Sequence, residues 1–275
     1  MKKKYYIYNM KIFTWTDILE SLNSGKEIIF FDKGTGISTG SFDGFHQGHR
    51  VLIKSLVEAC KKDSLIPGLV TFLRPLPSLK HSNDYQGDLS TLNQRIQIME
   101  ELGVQFVIIV DFDDSFASML GADYLNLLVN VCNMKLIAEG IDFRCGYKGA
   151  TDSQAIRYFA EKNNLKSIFV DPIYYRQGTD EEERVSSSYI RQMVTKGFFA
   201  TVQELLERAY ELDLTQVECD SASKSGELLL NKNKLIQVLP PEGIYHCKNQ
   251  DDEDVRVEIG GDQIKLNNKA EILKF

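Results

Sequence analysis

Two histidines, His46 and His49, stand three residues apart in the segment Gly40-Ser41-Phe42-Asp43-Gly44-Phe45-His46-Gln47-Gly48-His49. At the first turn of a helix, an i, i+3 spacing points both imidazoles at one place. Unpaired backbone N–H groups and the positive end of the helix dipole gather there too, so an anionic phosphate suits it. Gly48 allows a bulky ligand to approach closely. Metal ligation is the rival chemistry, but a catalytic zinc usually takes a third protein ligand, and no well-placed histidine or cysteine supplies one. The plain alternative is a pair of partly exposed histidines at a helix terminus. Their setting after Gly40 and Gly44, between a strand and a long helix, favours a nucleotide phosphate.

The elements that must hold this turn follow an alternating pattern. From about residue 37, short β-branched or apolar runs alternate with longer amphipathic stretches, as in a parallel sheet covered by helices. Ile37-Ser38-Thr39 leads into the turn, and Val51, Leu52, Leu56, Ala59 and Cys60 then recur at helical spacing before Pro67. Leu69 to Phe72 reads as a second strand. A helix over 91–102 precedes Val104 to Val110, whose near-continuous apolar character predicts the centre of the sheet. Helix 124–132, strand 135–138, helix 153–162 and strand 167–170 continue the alternation. Right-handed crossovers then give an open, doubly wound α/β sheet.

Helical runs over 188–196 and 200–210 follow Val185, and beyond Leu212 the helical period disappears. Strands are expected over 227–230, 235–238, 243–247, 255–259 and 263–266, separated by Asn, Asp, Gly and Pro. The expected organisation is a first domain over 1–186, a helical connection over 187–214 and a small all-β, barrel-like appendage over 215–275.

A chain of 275 residues, 43% of them hydrophobic, accommodates such a division. A net charge of −7 supplies no basic field for a polyanion, so nucleic acid is not expected as a partner. The five cysteines are widely spaced with no pair at metal-ligand spacing, which fits a reducing cytoplasm. Met1-Lys2-Lys3-Lys4 is followed by a stretch too short and polar for a signal-peptide core, and no run approaches membrane-spanning length. A cytoplasmic protein with no membrane partner is the expectation; protein partners are left open.

Four ordered segments resemble one family. Gly40 to His49 resembles the Gly-x-Phe-Asp-Gly-x-His-x-Gly-His form of the His-x-Gly-His nucleotidyltransferase signature found in bacterial FAD synthetases. Thr71-Phe72, followed by Pro75 and Pro77, resembles that family's Thr-Phe-Glu-Pro-His-Pro strand end. Gly140-Ile141-Asp142-Phe143-Arg144-Cys145-Gly146 resembles Gly-x-Asp-Phe-x-Phe-Gly, and Val185 to Arg191 resembles Val-Ser-Ser-Thr-x-Ile-Arg. The resemblance covers roughly residues 37 to 212.

It implies a Rossmann-like fold and adenylyl transfer, in which the FMN phosphate attacks the α-phosphorus of ATP to give FAD and pyrophosphate. Such a transfer depends on positioning and charge stabilisation more than on covalent help. His46 and His49 would bind the ATP phosphates and stabilise the charge on departing pyrophosphate. Ser186, Ser187 and Ser188 precede a helix, where hydroxyls and free amides can hold the β- and γ-phosphates, and Arg191 can aim its fork at the same oxygens. A plain N-cap followed by a surface arginine is the alternative. Gly140, Asp142 and Phe143 follow a strand at the carboxyl edge of the sheet, where recognition of adenine or ribose competes with a simple Asx turn. Gly40, Ser41, Phe42 and Gly48 belong to the phosphate turn. Asp43 is either a contact to Mg²⁺ or the flavin phosphate, or a helix cap. Mg²⁺ is expected to arrive with ATP, without an all-protein cage.

Two departures stand out. Ser41 replaces the usual asparagine, and Leu73-Arg74-Pro75-Leu76-Pro77 lacks the family's Glu and His, which bears on the flavin-phosphate side near Thr71 and Phe72. Residues 215–275 also lack the Gly-Arg-x-x-Gly-Phe-Pro-Thr-Ala-Asn stretch of the family's riboflavin kinase barrel; only Pro240 to Tyr245 is similar to its Pro-x-x-Gly-Val-Tyr turn. The expectation is an FMN adenylyltransferase without riboflavin kinase activity. Transfer of adenylyl or cytidylyl groups to another phosphate acceptor, or non-catalytic binding of nucleotide or flavin, are the alternatives.

Overall fold

The computed structural model describes residues 9–26, 28–76, 78, 85–215, 217, 221–222 and 228–275. His81 and Cys219 lie outside these residues, as does Pro77 of the Thr-Phe segment. Contacts divide the chain into two compact units, one of residues 1–42, 48–76 and 96–172, the other of residues 43–47, 77–95 and 173–275.

The first unit is built on six parallel strands: β1 (Lys11–Thr14), β2 (Thr35–Thr39), β3 (Ile66–Phe72), β4 (Phe106–Val110), β5 (Met134–Gly140) and β6 (Lys166–Val170). Their order is β1-β4-β3-β2-β5-β6. The direction of winding therefore reverses between β2 and β5, the switch point at which open α/β sheets form their ligand crevice. The apolar 104–110 run is not the centre of the sheet as expected. β2 and β3 occupy that place, and β4 is covered on its outer side because β1, too short to show an alternating pattern, pairs with it.

Connecting helices bury the sheet. Helix α1 (Trp15–Ser24) begins with a capping box between Thr14 and Asp17, and it contributes Trp15 and Ile18 to the main core. Helix α2 (Gln47–Asp63) buries Leu52, Ile53, Leu56 and Cys60. It lies so close to β2 that a Cβ on Gly36 would stand 2.3 Å from Cys60 Sγ. Helices α3 (Leu92–Glu101), α4 (Gly121–Cys132) and α5 (Ser153–Lys162) complete the crossovers. Leu125, Leu127 and Leu128 of α4 join Ile37, Val70, Phe106 and Ile137 in that core.

In the second unit, α6 (Ser187–Thr195) and α7 (Phe199–Leu206) pack through Ile190, Met193, Val194, Val202 and Leu205. A seven-stranded antiparallel sheet encloses its own core, including Leu212, Leu230, Val257, Ile264 and Leu273. Four of the five expected strands are present, as Leu228–Asn231, Gly243–Lys248, Asp254–Gly260 and Gln263–Leu266. The expected strand 235–238 is instead an irregular segment with a single bridge from Gln237 to Asp88. Strands Glu211–Asp213, Ser221–Ala222 and Ile272–Lys274 are additional. Among the described residues no helix is long and apolar enough to cross a membrane.

Candidate active site

The chain leaves β2 through Gly40 and Ser41. Phe42 and Phe45 both take left-handed φ angles, 46° and 49°, with Gly44 at 78° between them. A bulky side chain adopts that conformation only when its surroundings hold it, and both phenylalanines are fully buried. Glycine suits position 44 because of its positive φ, and a Cβ there would also press on the Leu89 side chain, 2.9 Å from Cδ1. Ser41 ties the turn to the segment beyond β3. Its hydroxyl accepts from the Leu76 amide at 3.2 Å, while the Thr71 hydroxyl donates to the Ser41 carbonyl at 3.4 Å. Thr71 and Ser41 thus come together. Phe72 turns away into an aromatic cluster with Phe112 and Phe116.

Asp43 is buried in the second unit and densely held. Its carboxylate accepts from the amides of Leu89 at 2.9 Å and Ser90 at 3.0 Å, and it pairs with the guanidinium of Arg191. Burial raises the pKa of this carboxyl, opposed by Arg191 and the Leu89 amide. Arg191 is itself buried rather than on the surface. Its Nε donates to the Gly87 carbonyl at 2.8 Å, and its guanidinium lies 4.9 Å from the ring centre of Tyr85. Ser186 caps α6 by accepting from the Tyr189 amide at 3.2 Å, and the Ser187 hydroxyl donates to the Asp43 carbonyl at 2.9 Å. Two of the three serine hydroxyls are therefore part of the scaffold, while Ser188 is exposed.

His46 belongs to the same unit and is 7% exposed. Burial, with Arg184 adding to it, pulls its pKa down to about 4, so the ring is neutral near pH 7. His49 lies in the first turn of α2 and in the first unit, half-buried, its ring edge-on to Phe42 at 5.4 Å. Gly48 occupies the same helical turn.

At the end of β5 the Gly140 carbonyl accepts from the Phe143 amide at 3.0 Å, which closes a tight turn and leaves Asp142 exposed. Phe143 packs against the main core, so its side chain is one that the fold itself uses. Among the described residues no group of three or more His, Cys, Asp or Glu side chains gathers as a metal site.

Sequence reasoning passed over Tyr85 and Gly87, which lie in a stretch without periodicity or motif. It also passed over Glu139. That residue is buried, and its carboxyl accepts from the Thr39 amide at 2.8 Å. A carboxylate closing the apolar run Leu136-Ile137-Ala138 was the available signal.

A profile of the FAD synthetase family matches residues 30–189. The chain is 26% identical over 183 residues to the bifunctional riboflavin kinase/FMN adenylyltransferase of Buchnera aphidicola subsp. Schizaphis graminum, covering 66% of this chain and 57% of that protein. The proteins of the same description from Escherichia coli K12 and Bacillus subtilis 168 are 28% and 24% identical, over 78% and 77% of this chain and 67% and 66% of theirs. The chain thus spans less than two thirds of the Buchnera relative. Among solved structures, one described as a macrolide-efflux protein from Streptococcus pneumoniae shares the fold, with a TM-score of 0.72 and 18% identity over 88% of this chain and 85% of that one.

Proposed function

The chain belongs to the FAD synthetase family, and from that premise we propose that it transfers the adenylyl group of ATP to FMN. A phosphate oxygen of FMN attacks the α-phosphorus, the bond to the β-phosphate oxygen breaks, and pyrophosphate leaves. The observation that carries this reading is the turn from Gly40 to His49, whose left-handed residues deliver a histidine to the start of α2 and another to its first turn.

In this reading the imidazole N–H groups of His46 and His49 and the amides at the start of α2 bind the ATP phosphates and offset the charge on departing pyrophosphate. A neutral His46 offers one N–H donor, which suffices for a hydrogen bond to a phosphate oxygen. Arg191 contributes by holding Asp43, and through it the turn, with any phosphate contact coming from the remaining face of its fork. In the first unit Gly48 and the exposed Asp142 are open to nucleotide while Ser41 and Thr71 shape the acceptor side, and in the second unit the exposed Ser188 is free of the scaffold contacts that Ser186 and Ser187 make. Mg²⁺ would come with ATP, whose phosphates supply most of its ligands.

Riboflavin kinase activity is not part of the proposal, because residues 215–275 lack the nucleotide-binding stretch of the kinase barrel. Incubation with FMN, ATP and Mg²⁺ should yield FAD and pyrophosphate by chromatography, and riboflavin with ATP should yield no FMN. A folded protein that binds ATP and makes no FAD overturns the adenylyl-transfer reading.

A further inference from the structure

At the switch point of the sheet a side chain takes the role of a backbone carbonyl. The pairing of β2 with β3 runs to Thr39 opposite Val70, and the Gly40 amide still donates to the Val70 carbonyl at 3.0 Å. On the other side, the pairing of β2 with β5 stops at Ile37 opposite Ile137. Successive amides of a parallel strand face alternate neighbours, so the Thr39 amide faces β5 where the two strands part. It donates to Glu139 Oε1 at 2.8 Å. The Thr39 hydroxyl meets the Tyr124 hydroxyl of α4 at 2.7 Å.

We propose that Glu139 is a positioning residue for the phosphate-binding turn: its carboxyl bridges the gap between β2 and β5 and sets the course of Thr39, Gly40 and Ser41 into the histidine segment. This inference rests on the reading that the turn serves ATP. Glu139 acts through the Thr39 amide and is not itself a catalytic residue.

The groups acting on the Glu139 carboxyl are Ser38 and Thr39 of β2, and it in turn acts on Tyr124 of α4 and on Cys145 beyond β5. The Tyr124 and Cys145 pKa values are themselves raised, chiefly by burial, so both are uncharged near pH 7. Burial pushes the Glu139 carboxyl well above its ordinary 4.5. Glutamine can imitate its acceptor role: the amide oxygen still accepts from Thr39, and no charge has to be buried.

Glu139→Gln, Glu139→Asp, Glu139→Leu and, as a control, Tyr124→Phe test this. Mg-ATP binding is followed by calorimetry, the KM and kcat of FAD formation by chromatography, and stability by thermal denaturation. Glu139→Gln should bind ATP within about twofold of wild type, whereas Glu139→Leu should raise the ATP dissociation constant and KM about tenfold with a smaller change in kcat. Glu139→Asp keeps the acid but shortens its reach, so it should weaken ATP binding too, which keeps the test intact if the leucine variant does not fold. Tyr124→Phe should lower thermal stability and leave ATP binding unchanged.

The carboxyl pKa is higher in the folded than in the unfolded chain. Its stabilising contribution is thus complete below about pH 4.5 and declines as pH rises, so Glu139→Gln should gain on wild type as pH rises above about 4.5. Unchanged ATP binding in Glu139→Leu or Glu139→Asp, a glutamine variant as weak as the leucine one, or a stability difference flat with pH would each overturn the proposal. If wild type binds ATP but forms no FAD, the transfer reading fails while the binding series still decides the role of Glu139. A wild type that binds no ATP overturns both.

Discussion

Glu139 and Asp43 are both buried carboxyl groups attached to the two ends of one turn, Glu139 through the Thr39 amide and Asp43 as a member of the turn itself. Their surroundings differ. Around Glu139 the partners are the Thr39 amide and hydroxyls of β2, and burial prevails, pushing the carboxyl's pKa well up. Around Asp43 the partners are two amides, a hydroxyl and the guanidinium of Arg191, which lies 148 residues away along the chain. A buried carboxyl can be accommodated by losing its charge or by recruiting an opposite one. The first solution uses groups that the sheet already supplies, whereas the second binds α6 and the 87–90 segment to the turn. Asp43 should therefore matter to the integrity of its whole unit, and Glu139 to the local path of the chain.

The sharpest way to break this contrast is to remove one partner of the ion pair. Arg191→Met leaves Asp43 buried without its cation and should cost about 3–5 kcal/mol in denaturant-induced unfolding. Joint replacement of Asp43 by Leu and Arg191 by Met should cost less than Arg191→Met alone, because no unpaired charge remains. Equal losses in the single and double variants would mean that Asp43 carries no charge in the folded protein.

His46 supplies a third case, a buried base. Its folded pKa of about 4 lies below the ordinary 6.5, so its contribution is present above pH 6.5 and is lost as pH falls towards 4. Across that window wild type should lose up to about 3 kcal/mol relative to His46→Gln, measured by urea titrations at successive pH values. A difference that stays flat would mean that the imidazole is not desolvated in solution. For activity, His46→Ala should lower kcat by about 100-fold, with a much smaller change in ATP affinity, if the ring acts on charge that develops during the transfer. An equal loss of binding and turnover would assign it to ground-state binding alone.

Much of the fold could be read from local pattern. Helix Ser153–Lys162 and strand Gln263–Leu266 coincide with their expected spans because hydrophobic periodicity and bounding turn residues agree there. β1 could not be read, since four residues carry too little alternation, and its absence from the reading displaced the centre of the sheet. The histidine turn was legible as a motif, whereas its support was not. Asp43 and Arg191 each looked like ligand-binding residues, and their pairing is a tertiary fact that no local pattern encodes. Glu139 interrupts an apolar strand end, but its partner is the backbone of Thr39, one hundred residues earlier.

The smallest effect separates scaffold from site at the serine run. Ser186 accepts from the Tyr189 amide as an N-cap, so Ser186→Ala should destabilise the protein by about 1 kcal/mol and Ser186→Gly by only a few tenths. If capping is the whole role of Ser186, ATP affinity should be unchanged in both variants. If the hydroxyl also contacts phosphate, both should bind ATP more weakly, and the glycine variant would do so with near-normal stability. Ser188→Ala is the complementary test. That side chain is exposed, so its loss should leave the melting temperature in place, and any weakening of ATP binding then reports a contact to the nucleotide. Loss of affinity at Ser188 but not at Ser186 would divide the run into one hydroxyl that builds α6 and one that meets the substrate.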